Sequence, residues 1–295
     1  MDARNPSAVP TFASRTPLHI GGVGLKVRDL DRVVAFYRDV IGLAVLERTD
    51  QGVQLGAGDV SFLALEHRPD AKPDDPRFAG LFHTAFLMPT RVDLARWLLR
   101  MAQNRTPITG MSDHLVSEAI YLDDPEGNGV EVYVDRPPET WRRTGELIEI
   151  TTDPLDIENL VAAADGQPTH TGAGAPAGLR IGHVHLRVGK VDTAEAFYRD
   201  TIGLTVTRRR GGASFMSSGG YHHHIAANVW HSAGAGPRDD DRAGLSWVAF
   251  EAADAGTFET VGAQLRAART PMTKTTDGFA VRDPWGTRVR FVAPR

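Results

Sequence analysis

The stretch Asp113–Tyr133, DHLVSEAIYLDDPEGNGVEVY, reads as strand, turn, strand. An apolar run ends in Tyr121 and meets Asp123-Asp124-Pro125-Glu126-Gly127-Asn128-Gly129, which is dense in turn-forming residues. The chain returns through Val130, Glu131, Val132 and Tyr133 with the alternation of a half-buried strand. That alternation sets Glu131 on the face opposite Val130 and Val132. A carboxylate at a strand centre is either turned to solvent or held by a partner. Read alone, solvent is the simpler answer; the rest of the chain argues for a partner.

The chain has 295 residues, enough for a large core in two domains or one large one. Its apolar, charged and glycine contents are those of a globular protein. The net charge of −4 comes from acids and bases mixed along the chain. No basic stripe points to nucleic acid or to an anionic membrane as a partner. The first fifteen residues lack the apolar centre of a signal peptide. No apolar run approaches the roughly 20 residues that span a bilayer. With no cysteine, disulfide and thiolate chemistry are excluded, and a cytoplasmic location is the expectation.

An internal repeat sets the architecture. Ile20-Gly21-Gly22-Val23-Gly24-Leu25-Lys26-Val27 returns as Ile181-Gly182-His183-Val184-His185-Leu186-Arg187-Val188. Ala35-Phe36-Tyr37-Arg38-Asp39-Val40-Ile41-Gly42-Leu43 returns as Ala196-Phe197-Tyr198-Arg199-Asp200-Thr201-Ile202-Gly203-Leu204. Both pairs are offset by 161 positions (22 to 183, 35 to 196). Asp124-Pro125-Glu126-Gly127 corresponds likewise to Asp283-Pro284-Trp285-Gly286. The chain is a duplication.

Each half divides again. Unit one runs from a strand over 20–27 through a helix near 30–40 to strands ending about Glu66. Asp29 or Asp31 starts that helix and Gly42 follows its end. Unit two has a strand from Leu81 to Met88, a helix near 91–104 with Leu94, Trp97, Leu98 and Met101 on one face, and the opening strands. Units three (179–230) and four (245–293) repeat the pattern. The expected fold is α+β: four βαβββ units, a duplicated pair, whose curled mixed sheets surround an interior and carry their helices outside. The expected organisation is an N-terminal half over 1–135, a connector over 136–178 and a C-terminal half over 179–295. The connector holds a short helix near Leu155–Ala164 and a linker, Gly166 to Gly178, rich in Gly, Ala, Thr and Pro.

Four such units with AFYRD-x-IGL and DPxGNGxE signatures resemble the vicinal oxygen chelate superfamily over nearly the whole chain outside the tail and linker. That resemblance implies a metal cup, with one ligand His on a unit's first strand and a second such His plus a last-strand Glu from the paired unit. The corresponding first-strand positions here are Gly22, His83, His183 and Trp247; the last-strand positions are Glu131 and Arg290. The ligand types that remain are His83, Glu131 and His183, and only units two and three together supply all three. Those two units are expected to form the cup, within one chain or across a homo-dimer. His185 shares the strand face of His183 and is either a neighbour of the metal site or a substitute ligand. Two imidazoles and one carboxylate leave coordination positions open on Fe(II), and Mn(II) suits the same set.

Tyr221-His222-His223-His224-Ile225 is expected on a later strand of unit three, with His222 and His224 on one face and His223 on the other. The resemblance implies a non-ligand His from this region as acid/base, which leaves His222, His223 and His224 open. Imidazole suits the task because its ordinary pKa lies near neutrality. Tyr121 precedes Glu131 by ten residues, a spacing that the resemblance associates with a tyrosine on the substrate oxygen. His114 and Asn228 are candidate pocket residues, and Trp230 is a candidate wall.

The chain is similar to extradiol dioxygenases of the catechol 2,3-dioxygenase group. The resemblance implies O2-dependent ring opening of a small aromatic diol. A glyoxalase-type isomerase is the second reading, weakened because its metal site takes two carboxylates. A binding or resistance protein without catalysis is the third, and such members tend to lack the metal set kept here.

Overall fold

The computed structural model describes residues 11–165 and 174–294. Unit one contains β1 (Leu18–Val27), α1 (Leu30–Phe36), β2 (Ala44–Thr49), β3 (Gly52–Ala57) and β4 (Val60–His67). Unit two contains β5 (Gly80–Leu87), α2 (Arg91–Gln103), β6 (Gly110–Asp113), β7 (Ser117–Asp123) and β8 (Gly129–Asp135). The connector carries a small ribbon, β9 (Arg143–Thr144) with β10 (Leu147–Ile148), and α3 (Ile157–Ala162). Unit three contains β11 (Arg180–Arg187), α4 (Val191–Glu195), β12 (Thr205–Arg210), β13 (Ala213–Ser217) and β14 (Ile225–Asn228). Unit four contains β15 (Gly244–Ala252), α5 (Ala255–Ala267), β16 (Thr273–Lys274), β17 (Gly278–Arg282) and β18 (Arg288–Val292). Most of the linker expected over 166–178, residues 166–173, lies outside the described residues. Among the described residues, no helix is long and apolar enough to cross a membrane.

Two eight-stranded mixed sheets result, and each draws one unit from each half. Units four and one give the order β16-β17-β18-β15-β1-β4-β3-β2; units three and two give β12-β13-β14-β11-β5-β8-β7-β6. Within a unit the first and last strands run parallel, as the helical crossover between them requires, while β1 meets β15 and β5 meets β11 antiparallel. Units two and three therefore share a sheet inside a single chain.

The repeated sequence words have a common structural cause. Asp29 caps α1 by accepting the Arg32 N–H, and the helix widens over Tyr37–Ile41 before Gly42 ends it with φ 93°. Tyr37 is thereby driven into the core, and its hydroxyl donates to Asp124 of unit two at 3.3 Å. Asp124 also receives the N–H groups of Glu126 and Asn128, which holds the turn between β7 and β8 closed. The duplicate reproduces this: Tyr198 donates to Asp283 at 3.1 Å, and Asp283 receives Trp285 N–H and Thr287 N–H. The Tyr of AFYRD and the Asp of DPxG are thus one contact made twice, each time tying two consecutive units.

Apolar side chains on the outer sheet faces and the inner helix faces merge into one core, including Leu94, Trp97, Leu98 and Met101 of α2. The inner faces differ. In the unit one/four sheet, the cross-strand row reads Ala280, Arg290, Ala249, Gly22. The Arg290 guanidinium lies 4.7 Å from the Trp247 ring centre and pairs with Asp277 at 3.0 Å. Trp247 in turn occupies the space that any side chain at Gly24 would need. This concavity is filled by its own residues.

Tyr198→Phe removes the donor to Asp283 and leaves the turn's backbone bonds in place. We expect a loss of about 1 kcal/mol in urea unfolding, and the same for Tyr37→Phe with Asp124.

Candidate metal centre

In the unit two/three sheet the corresponding inner row reads Tyr121, Glu131, Ala85, His183 across β7, β8, β5 and β11. Ala85 is small, so the longer chains on either side close over it. His83 lies two residues from Ala85 on β5 and directly opposite His185. The pairing of β11 with β5 is interrupted between Ile181 and His183, where Gly182 is the extra residue. A Cβ at Gly182 would overlap the Tyr133 hydroxyl, so glycine is required at this bulge. A second interruption follows His185, so bulges bracket the two histidines and aim them inward.

His83 Nε2 lies 2.9 Å and His183 Nε2 3.2 Å from the same carboxylate oxygen, Glu131 Oε2. The three donor atoms fall within 4.8 Å of one another, and all three residues are buried. Among the described residues, no hydrogen bond satisfies the buried His83 Nε2. Burial alone would raise the Glu131 carboxyl, but contacts with His183 and His83 hold it well below the ordinary range. Burial pushes His183 down to about 4 against the pull of Glu131. At neutral pH His183 is therefore uncharged, and the cluster offers one carboxylate and two imidazoles, a donor set that fits a divalent cation. Glu131 is 2 % exposed, so the carboxylate is held by partners rather than turned to solvent.

His185 also faces inward, its ring 4.9 Å from that of His83. Its Nε2 accepts from Asn228 Nδ2 at 2.9 Å, so it stands beside the cluster with that nitrogen engaged. Asn228 is fully buried behind His185 rather than on the cavity wall, contrary to the pocket position expected of it.

The triple histidine departs from expectation. Gly219 and Gly220 have φ of 62° and 75°, and residues 221–224 form a bend that enters β14 only at Ile225. Strand alternation therefore does not govern them. His224 turns away toward Thr16 Oγ1 (3.1 Å) and is not on the cavity wall. His222 is fully buried, with Nε2 2.8 Å from Asp135 Oδ1 and Nδ1 2.7 Å from His223 Nδ1. His223 alone of the three reaches the cavity, its ring centre 4.0 Å from that of His183. The hydrogen-bond order is directional. With His222 as the neutral tautomer that donates Nε2–H to Asp135, its Nδ1 accepts from His223 Nδ1–H, and the lone pair left on His223 is at Nε2. Tyr221, which receives Tyr133 at 2.7 Å, donates to the same Asp135 oxygen at 3.1 Å. Burial and the surrounding histidines hold His223 well below its usual pKa, so this ring is uncharged.

On the opposite wall, His114 Nδ1–H donates to the Thr151 carbonyl at 2.6 Å. Its Nε2 therefore accepts from the Tyr121 hydroxyl, also at 2.6 Å. Burial, reinforced by Glu131, raises Tyr121 well above its usual pKa and keeps it a phenol. These groups surround a cavity of about 630 Å³ between the two sheet edges. Phe82, Val116, Ile150, Phe215 and the half-exposed Trp230 supply apolar wall. The connector closes the gap between β6 and β12: Asp153 bridges Asp113, and Arg210 Nη1 donates to Thr152 Oγ1 at 3.0 Å. Asp135, Phe215, Arg208 and the connector residues escaped the sequence reading. Asp135 was findable, since it lies four residues after Glu131 on the same strand face.

A family profile described as the glyoxalase/bleomycin resistance protein/dioxygenase superfamily matches residues 18–132 and 180–291. The chain is 39% identical over 280 residues to the catechol-2,3-dioxygenase of Bacillus subtilis (strain 168), covering 93% of this chain and 97% of that protein. The fold is similar to that of glyoxalase I from Zea mays, with TM-score 0.55 and 16% identity over 96% of this chain and 94% of that one. It is also similar to the cppA protein of Streptococcus pneumoniae TIGR4, with TM-score 0.56 and 12% identity over 92% of this chain and 96% of that one. With the repeat, the paired sheets and this match across both halves, the chain belongs to the glyoxalase/bleomycin resistance protein/dioxygenase superfamily.

Proposed function

We propose that this chain is an extradiol dioxygenase that opens the ring of a catechol with O2, using Fe(II) held by His83, Glu131 and His183. The observation that carries the reading is the convergence of both imidazole Nε2 atoms on Glu131 Oε2, beneath a cavity into which His223 turns a free lone pair. The likeness to the Bacillus subtilis catechol-2,3-dioxygenase supports it over nearly the full length of both chains. Fe(II) held by these three residues would supply Lewis acidity and open coordination positions, and Mn(II) suits the same donors.

The chain's own residues account for binding and proton movement. Phe82, Phe215 and Trp230 seat an aromatic ring and exclude water from it. His223 Nε2 takes the proton of one diol hydroxyl, and Asp135 acting through His222 fixes the tautomer that makes this possible. Tyr121, donating to His114, offers its oxygen lone pair to the other hydroxyl. The carbon–carbon bond beside the diol breaks, both atoms of O2 enter the product, and the ring's own electrons reduce the oxygen. His223 returns its proton, and the product is a hydroxymuconic semialdehyde.

The glyoxalase-type alternative is disfavoured by the donor set. Among the described residues the one cluster able to hold a metal contains a single carboxylate.

His83→Ala and His183→Ala are expected to lose bound iron on anaerobic purification, while Trp247→Phe, at the matching position of unit four, retains it; equal iron in all three would reject the ligand set. Iron-loaded protein is expected to consume one O2 per catechol and form a yellow product. Full loading without colour on catechol or simple alkylcatechols would reject ring cleavage. His223→Gln is expected to keep its iron and lose kcat by roughly a hundredfold or more.

A further inference from the structure

Arg208 is a charge in the cavity that no group among the described residues answers. It lies on β12, an edge strand, directly opposite Phe215 of β13. The ladder is interrupted between Val206 and Arg208, with Thr207 as the extra residue. Beyond that bulge Arg208 and Arg210 line the cavity, while Arg209 points outward to Glu195 at 2.7 Å.

Several other arginines in the molecule also have a buried Nε without a partner, but their terminal nitrogens are engaged. Arg187 pairs with Asp74, Arg242 donates to the Pro73 carbonyl at 2.6 Å, and Arg290 pairs with Asp277 at 3.0 Å. Arg208 has the same buried, unbonded Nε, and among the described residues it makes no hydrogen bond and no ion pair. A half-buried cation without a counter-charge is costly, and the side left open to it is the cavity.

The position is close to where a ring would sit. The Phe215 ring centre is 5.0 Å from that of His223, which is itself 4.0 Å from His183. Directly opposed residues in an antiparallel pair hold their Cβ atoms about 5 Å apart, so Arg208 flanks Phe215 on the same wall. With Glu131 committed to the metal, the remaining charged residues of the lining are Arg208, Arg210 and Asp123, two cations against one anion.

We propose that the substrate class is a catechol bearing a carboxylate, attached to the ring or one carbon from it, with Arg208 pairing to that carboxylate and selecting for it. This deepens the ring-cleavage reading and rests on it. The planar guanidinium is suited to a carboxylate and gains most where water is partly excluded.

The test compares 3,4-dihydroxyphenylacetate with 4-ethylcatechol, which has a similar shape without the charge, on the iron-loaded full chain and on Arg208→Leu and Arg208→Lys. The wild type is expected to favour the acid in kcat/KM by roughly tenfold or more. Arg208→Leu is expected to lose that preference, with 4-ethylcatechol turnover within about threefold of wild type, and Arg208→Lys to restore part of it. Equal or better use of 4-ethylcatechol by the wild type, or a loss in Arg208→Leu that is the same for both compounds, overturns the proposal. Anaerobic calorimetric binding of the same two compounds separates the two readings. If neither catechol is cleaved, ring cleavage fails, while an Arg208-dependent preference for the acid in binding still supports the carboxylate site and its absence rejects it.

Discussion

The antiparallel pairing of β5 with β11 is the constraint on which the rest depends. It joins the second unit of the first half to the first unit of the second half, and it carries the row in which Glu131, Ala85 and His183 are neighbours. A carboxylate at 2 % exposure and two buried imidazoles are held together there. Such a group of polar atoms is costly to bury unless something satisfies them, and the unbonded His83 Nε2 shows that the protein alone does not. The bulge at Gly182 contributes the second part of the constraint. Any side chain there would displace Tyr133, and with it the line of hydroxyls that leads through Tyr221 to Asp135 and His222.

The two sheets show what the duplication kept and what it released. Both retain the contact between the tyrosine of the helix and the aspartate of the turn, because that contact closes a turn and ties two units whatever the inner face does. The inner faces have diverged. One holds Trp247 packed over Gly24 with Arg290 stacked upon it, which fills the concavity. The other keeps donor atoms and a cavity of about 630 Å³. Selection on stability is met by either arrangement; only the second leaves room for chemistry.

Much of this was legible in the sequence because strand periodicity is two and the repeat supplies a second copy of each position. The alternation Val130-Glu131-Val132 set the carboxylate apart from its apolar neighbours, and the family resemblance, applied to Gly22, His83, His183 and Trp247, picked out units two and three. The bends and bulges were not legible. Two consecutive glycines with positive φ turn Tyr221–His224 into a lead-in to β14, so the alternation expected for the three histidines does not apply and only His223 reaches the cavity. The extra residue at Thr207 decides that Arg208 faces inward, and nothing local announces it. Thr151, which orients His114, comes from a connector whose packing is set by the gap between two sheet edges rather than by its own pattern.

The central claim is that residues from the two halves of the duplication hold one metal ion. Anomalous diffraction at the iron edge, from crystals of the chain loaded with Fe(II) without oxygen, tests it most directly. The account predicts a single strong peak bonded to His83 Nε2, His183 Nε2 and a Glu131 oxygen at about 2.0–2.2 Å. A peak at the His222–His224 bend, or ordered iron that touches only one half of the chain, would contradict it.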